Sequence, residues 1–271
     1  MNAVIDVSAR TDVGAVRRVN EDSLVARHPL YLVADGMGGH ARGDAASQTA
    51  AATMARLLPA SSTPTPDDVL DAIRSANREV RALSQVGASG EAVAGTTLSG
   101  VVAVRIPSTG ESGWLVVNVG DSRVYSWDGR ALRQLSHDHS AVQDLVDSGM
   151  ISPAEAAHHP ERNVITRALG AADSVEVDTL LVPVIGRQSF LICSDGVTKE
   201  LPDEQIARIL ADSPVGALAD VLVEAAVLAG ARDNVTAIVV ESVSGDAEQA
   251  SLETADRPGE DAFLEDTRPR R

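Results

Sequence analysis

The sequence predicts an α+β fold in which sheets and helices form separate layers, on two observations. Short apolar, β-branched runs follow one another through the middle of the chain: 96–106 (TTLSGVVAVRI), 114–120 (WLVVNVG), 123–127 (RVYSW), 174–184 (SVEVDTLLVPV) and 189–195 (SFLICSD). Helical periodicity is gathered at two places, 44–58 with 66–85, and 202–213 with 215–230. Strands that succeed strands without an intervening helix argue against an alternating parallel α/β fold.

Taken in order, the run 30–35 (LYLVAD) reads as a strand ending in Asp35-Gly36. A helix over 44–58 follows, then the break PASSTPTP, then a second helix from Pro66, whose Asp67 and Asp68 suit the positive end of the helix dipole. After the three central strands, residues 139–162 carry two short helical pieces around Gly149 and Pro153 and read as a flap beside a site, with an ordinary surface connection as the alternative. The apolar stretch 215–230 contains Asp220 and Glu224 and falls short of the ~20 residues a membrane span needs, so it reads as a buried helix. A last strand, 234–243 (NVTAIVVESV), precedes a segment from 244 to 271 that lacks periodicity and apolar content, which predicts a disordered acidic tail after a domain over 1–243. Phe263 and Leu264 are the docking candidates within it.

Composition narrows function. Thirty-nine acids against 23 basic residues give a formal net charge of -16, which repels nucleic-acid phosphates and anionic membrane surfaces. From residue 241 onward nine acids face four arginines. Asp6, Arg10 and Asp12 interrupt the first residues, so neither a signal-peptide core nor a membrane anchor is expected. The single cysteine, Cys193, forms no intramolecular disulfide and no cysteine-based zinc cluster, which suits a reducing cytoplasmic setting and leaves metal binding to oxygen or histidine.

The aspartates fall at strand mouths. Asp35 and Asp195 each end an apolar run and precede a glycine, and Asp233 stands at the entry of the last strand. A bare charge there is costly unless a cation or hydrogen bonds compensate it. An all-oxygen set favours Mg²⁺ or Mn²⁺ over zinc, and glycine beside a ligand lets the backbone carbonyl approach an ion. Asp-Gly also marks ordinary turns; the coincidence of several favours a metal site. Gly36 to Ala41 also satisfies G-x-G-x-x-A after a strand, but PASSTPTP stands where a dinucleotide-binding unit needs its second strand. Lys199 has no glycine-rich lead-in for a nucleotide-triphosphate loop.

The motifs R-x-x-N-E-D at 17–22, DGMGGHARGDAAS at 35–47, GTT at 95–97, VGDSRVY at 119–125, LSHDHS at 135–140, RNVITRALG at 162–170, CSDGV at 193–197 and RDNVT at 232–236 stand in the order found in metal-dependent protein phosphatases of the 2C type, particularly their bacterial branch. From about Arg10 to Val240 the chain resembles that family. The resemblance implies a four-layer αββα sandwich of two antiparallel sheets. It implies hydrolysis of phosphoserine and phosphothreonine in proteins with two or three Mn²⁺ or Mg²⁺ ions, opposing Ser/Thr kinases, in a monomeric cytoplasmic enzyme.

Position by position, the resemblance makes Asp35 the bridge between two metals, with Asp195 and Asp233 on the first, and the Gly36 carbonyl and Glu21 on the second. Asp121 would join Asp195 at a third metal, Asp22 and Asn234 would support the ligands, and Arg17 would grip the substrate phosphate. Two cations ~3.5–4 Å apart bring water near its hydroxide form at neutral pH, and a guanidinium suits forked phosphate contact better than an ammonium. Met37 stands where many eukaryotic members carry a histidine that protonates the leaving oxygen. His40 lies three residues later, and metal-bound water is its rival as the proton source. A phosphoprotein-binding or metal-sensing module of the same fold is the reading from another class.

Other residues carry plainer readings. His137 and His139 are expected to cap or to lie exposed rather than bind metal. Ser136, Ser140, His137 and Asp138 have the letters of a hydrolase triad without the G-x-S-x-G elbow. Cys193 is expected to be buried packing, and Arg162 and Arg167 are open between orienting substrate and salt bridges.

Overall fold

In a computed structural model describing residues 3–38, 42–87, 90–92 and 94–244, the chain forms β1 (Ala3–Asp12), β2 (Asp22–Arg27), β3 (Leu30–Met37), α1 (Gly43–Leu57), α2 (Pro66–Arg81), β4 (Gln85–Gly87), β5 (Gly90–Ala92), β6 (Gly95–Thr96), β7 (Leu98–Arg105), β8 (Ser112–Val119), β9 (Arg123–Trp127), β10 (Leu132–Gln134), α3 (Ala141–Asp147), α4 (Pro153–Ala156), β11 (Asp178–Pro183), β12 (Arg187–Cys193), α5 (Asp195–Thr198), α6 (Asp203–Asp212), a 3₁₀ turn (Val215–Ala217), α7 (Leu218–Leu228) and β13 (Val235–Ser244).

The strands make two principal sheets, ordered β1-β13-β12-β9-β10 and β11-β8-β7-β3-β2. Their pairings are antiparallel. The dinucleotide reading fails here, because β3 is followed by two helices and its partners are antiparallel.

Side-chain alternation builds the layers. Along β3, Leu30, Leu32 and Ala34 pack with α1 and α2 residues such as Ala50, Met54 and Ile73, while Tyr31 and Val33 face the other sheet. Along β12, Phe190 and Ile192 share that inter-sheet layer, and Leu191 and Cys193 pack on the far side with Ile206, Leu222 and Val223 of α6 and α7. Because successive side chains point to opposite faces, each central strand contributes to two cores at once, and near-continuous apolar runs result. Three cores between four layers give the αββα sandwich. Tyr31, Trp114 and Phe190 fill its centre, with ring centroids 5.9 and 5.6 Å apart.

Local chemistry sets the helix ends. Thr65 accepts from the Asp68 N–H while the Asp68 carboxylate accepts from the Thr65 N–H, a capping box with Pro66 in the first turn. Ser152 and Glu155 repeat the device on α4. Helix α7 buries Leu218, Leu222, Val223 and Ala226 but leaves Leu228 exposed, so only one face is buried. No helix among the described residues is long and apolar enough to cross a membrane.

Several boundaries differ from the sequence expectation. The run 96–106 is broken at Thr97, where the chain leaves the short pairing of β6 with β3 and enters β7. The run 174–184 narrows to Asp178–Pro183, and β1 and β2 are two strands beyond those the apolar runs predict. Asp195 does not end a strand: pairing stops at Cys193, and Asp195 opens α5. The last strand runs to Ser244, paired with Ala3, one residue into the segment expected to be tail; residues 245–271 lie outside the described ones.

Candidate active site

The acids gather at one end of the layer between the sheets. Asp22 and Asp35 are opposite each other in the β2–β3 ladder, so their side chains share a face. Asp35 has the parity of Tyr31 and Val33 and therefore points toward the inter-sheet gap at its rim. Asp195 comes from the β12–α5 junction, Asp233 from the entry to β13, and Asp121 from the turn between β8 and β9.

The motifs act as clamps on these positions. The Asp35 N–H donates to Thr97 Oγ1 at 2.9 Å, and the Asp35 carbonyl accepts from the Thr97 N–H and from Thr96 Oγ1, both at 2.9 Å. Thr97 Oγ1 also lies 2.8 Å from Ser122 Oγ, tying Asp35 to the turn that carries Asp121. Gly120 begins that turn at φ 108°, where a Cβ would stand 2.5 Å from Thr97 Cγ2.

Asn234 holds the opposite wall. Its Oδ1 accepts from the Glu21 N–H at 2.8 Å, and its Nδ2 donates to the carbonyls of Val13 and Val19, both at 3.0 Å. One amide thus fastens the loop carrying Arg17 to the β13 entry. Gly196 packs so closely against that entry that a Cβ would meet the Asn234 carbonyl at 2.0 Å.

Asp22 Oδ2 accepts from Ser194 Oγ at 2.8 Å and Thr236 Oγ1 at 2.6 Å, while Oδ1 has no partner. Asp121 Oδ1 and Asp195 Oδ1 are likewise buried and unpartnered. Burial, followed by mutual repulsion, lifts these acids. Asp121 is pushed up to about 7 by burial and Asp195. Asp22 is also pushed up to about 7 by burial and by Asp195 and Asp233, against its two hydroxyl donors. Asp35 is raised by burial and then by Asp22, Asp195, Asp121 and Asp233. Glu21 is raised first by burial, then by Asp44 and Asp233 against the pull of Arg17.

Two cations of the chain stand among the acids. Arg17 Nη2 lies 3.0 Å from Asp233 Oδ2, with about half of its side chain exposed, and Lys199 Nζ contacts Asp195 Oδ2. Among the described residues no three His, Cys, Asp or Glu side chains close on a single point. The donor set nevertheless suits hard divalent cations. It is all oxygen, and it holds three buried carboxylate oxygens, Asp22 Oδ1, Asp121 Oδ1 and Asp195 Oδ1, that no hydrogen-bond donor reaches. Gly36 sits in a cradle only glycine fits: a Cβ there would meet the Gly43 carbonyl at 2.1 Å and the Glu21 carbonyl at 2.5 Å, and a Cβ on Gly43 would meet Glu21 Oε1 at 2.7 Å and the Gly36 carbonyl at 2.8 Å.

Arg17, Glu21, Asp22, Asp35, Gly36, Asp121, Asp195, Asp233 and Asn234 therefore neighbour one another at one mouth, whereas His40 lies outside the described residues. His137 is exposed and meets Asp147 at 2.7 Å. His139 corrects the expectation of a capping or exposed ring: it is buried, its Nδ1 accepts from the Gly120 N–H at 3.0 Å, and its Nε2 faces Asp178 at 3.2 Å. Burial lowers its pKa, and its contact with the Gly120 N–H steadies the Asp121 turn. Asp138 accepts a two-pronged contact from Arg123, Ser140 caps α3, and Ser136 Oγ accepts from the Val124 N–H, which leaves no triad. Arg167 pairs with Asp178 at 2.6 Å, a structural bridge. Cys193 is buried, its thiol pushed up to about 12 by burial. Lys199 has no nucleotide-loop sequence around it; its spacing of four from Asp195 is the sequence signal of this contact.

Comparison with known proteins places the chain in a family. The family model described as protein phosphatase 2C matches residues 17–222. The chain is 36% identical over 247 residues to the serine/threonine phosphatase stp of Listeria monocytogenes, covering 86% of this chain and 94% of that protein. It is 37% identical over 248 residues to the serine/threonine protein phosphatase PstP of Mycobacterium tuberculosis, covering 90% of this chain and 46% of that longer protein. Among solved structures, the catalytic domain of a serine/threonine protein phosphatase PstP in complex with two manganese ions superposes with a TM-score of 0.76 at 35% identity, over 89% of this chain and all of that one. PppA, a key regulatory component of T6SS in Pseudomonas aeruginosa, superposes equally well, at 0.76 and 34% identity, over 89% and 100% of the two chains. Matches of this length and closeness leave one assignment: the chain belongs to the protein phosphatase 2C family.

Proposed function

We propose that this protein hydrolyses phosphoserine and phosphothreonine in proteins, opposing Ser/Thr kinases, with divalent cations held in the acidic mouth. The carrying observation is the convergence of Asp22, Asp35, Asp121, Asp195 and Asp233 with three buried carboxylate oxygens unpartnered. So much like charge at one rim has no counterpart in a merely structural role.

In this reading Asp35 would be the ligand shared by two cations. Asp195 and Asp233 would hold the first, the Gly36 carbonyl and Glu21 the second, and Asp121 with Asp195 a third, with Mn²⁺ and Mg²⁺ both suited to the oxygen set. Such cations, when bound, bring water to a nucleophilic state and draw charge from phosphoryl oxygens. The chain's own groups do the rest. Asp22 holds the Asp35 face through Ser194 and Thr236. Asn234 fixes the Arg17 loop, and Arg17, half-exposed beside Asp233, reaches the phosphate. A loose phosphoryl-transfer transition state is mostly charge on oxygen, so a fixed guanidinium stabilises it without a covalent intermediate.

The folded unit spans the residues up to Ser244, acts as a cytoplasmic monomer, and takes phosphorylated kinases and their substrates as partners. No observation favours a binding module without turnover. Assays with p-nitrophenyl phosphate and a phosphothreonine peptide test the reading. Turnover with Mn²⁺ that chelator abolishes supports it; metal-independent turnover, or none with any metal, overturns it.

A further inference from the structure

Of the 23 basic residues in this chain only Lys199 is a lysine, and it stands in the acidic mouth. Helix α5 is a single turn, and the Lys199 N–H closes it on the Asp195 carbonyl at 2.8 Å. Helical side chains lean toward the N-terminus, so residue i+4 reaches back over residue i. Lys199 Nζ accordingly rests on Asp195 Oδ2, with about a third of the lysine side chain exposed and Asp195 largely covered. Its field extends to Asp121 and Asp233, which together with Asp195 keep the ammonium charged against its partial burial. The remaining oxygens, Asp195 Oδ1 and Asp121 Oδ1, are buried without partners.

The choice of lysine follows from the shape of the charge. An arginine presents a planar fork suited to two oxygens of one carboxylate, whereas an ammonium is a compact point cation with three rotatable donors, close in kind to a monatomic ion. An exposed i, i+4 pair contributes little to stability. This one caps a carboxylate that the proposed function needs as a ligand, so its effect falls on ion binding.

We propose that Lys199 is a tethered counter-ion of the metal centre, holding the Asp195–Asp121 end when divalent cations are scarce and yielding Asp195 when one binds there. The proposal rests on Asp195 and Asp121 being ligands. Two consequences follow: the last ion to bind must displace the ammonium and is therefore held more weakly, and the metal-free fold is protected from repulsion between the acids.

The test uses the full chain loaded with Mn²⁺, as wild type and as Lys199→Met, which keeps the apolar stem and removes the charge. Free Mn²⁺ is counted by electron paramagnetic resonance while chelator is added, so that a variant unfolding only after stripping is still read in its loaded state. We expect the last Mn²⁺ to be retained at about tenfold lower free concentration in Lys199→Met, as removal of one displaced ion pair near the surface implies. We also expect its melting temperature to fall below wild type in chelator and to match wild type in saturating Mn²⁺. Lys199→Arg, which keeps the charge, should not gain affinity. Equal retention of the last ion in wild type and Lys199→Met, or an equal loss of melting temperature with and without Mn²⁺, overturns the proposal and leaves the metal reading intact. A wild type that binds no Mn²⁺ overturns both.

Discussion

Asp22 and Asp35 are direct register partners in the antiparallel β2–β3 ladder, two carboxylates on one face of one sheet. Like charges so placed are destabilising, and here Asp195, Asp121 and Asp233 add to the repulsion. Ser194 and Thr236 anchor one oxygen of Asp22 and leave the other free. The fold thus carries a local electrostatic cost that divalent cations would remove.

That cost has a pH signature. Asp22 and Asp121 are pushed up to about 7, and Asp35 and Asp195 are also raised, so between the ordinary carboxylate range and pH 7 the folded protein holds protons that the unfolded chain has released. Metal-free stability should therefore fall as pH rises from 5 to 8, by roughly 5 °C in melting temperature if ~2 kcal/mol of the cost is expressed at ~2–4 °C per kcal/mol. Thermal unfolding in chelator across that range checks it, and saturating Mn²⁺ should flatten the dependence. A metal-free protein that gains stability toward pH 8 would contradict the raised values.

Asp35→Asn separates function from stability. The amide removes the central charge while keeping the size and the Thr96 and Thr97 clamps on the backbone. Turnover of p-nitrophenyl phosphate should drop by at least ~10³-fold, the scale of losing a principal electrostatic element, while the melting temperature in chelator stays level or rises. Full activity in this variant would refute the metal assignment.

Arg17→Ala should raise KM for a phosphothreonine peptide and lower kcat, and Arg17→Lys should recover only part of the loss, because an ammonium cannot make the forked contact. Steady-state kinetics with both variants decide this. Equal rescue by lysine would mean that charge alone matters.

Gly196→Ala and Gly36→Ala both place a Cβ against backbone carbonyls, at 2.0 Å from Asn234 and 2.1 Å from Gly43. Overpacking of this kind costs about 1–3 kcal/mol or more, and neither carbonyl can move without disturbing Asn234 or the Gly36 oxygen. Urea unfolding should register the loss in each. Gly129→Ala, in open space but at φ 88°, is the control for backbone strain alone.

A chain ending after Ser244 should keep the melting temperature and p-nitrophenyl phosphate turnover of the full protein, since β13 completes its pairing with β1 at that residue. Loss of either would place residues 245–271 inside the functional unit.

Much of this was legible in the residues. Strongly apolar central strands announced themselves because they are buried on both faces, and Pro66 with Asp67 and Asp68 marked the α2 start. Strand β1 was missed because it is an edge strand, exposed or half-covered at every residue but Ser8, and Asp6, Ser8 and Arg10 interrupt its apolar pattern. Asp195 was placed on a strand because composition does not show where cross-strand pairing stops. His139 looked like a surface residue because its only local signal, a polar neighbourhood, says nothing of the Gly120 amide that it accepts from.

What the amino-acid order determined by itself was the layered α+β class and three of the acids, Asp35, Asp195 and Asp233, since alternation, capping and an acid beside an apolar run are local properties written in consecutive residues. The tertiary structure alone decided that Asp22 faces Asp35, that Asn234 fastens the Arg17 loop from more than 200 positions away, and that the one lysine rests on Asp195. The reason is range: propensity and periodicity act within a turn or a strand, whereas the field in a buried acidic mouth depends on which distant segments the two sheets bring to the same end.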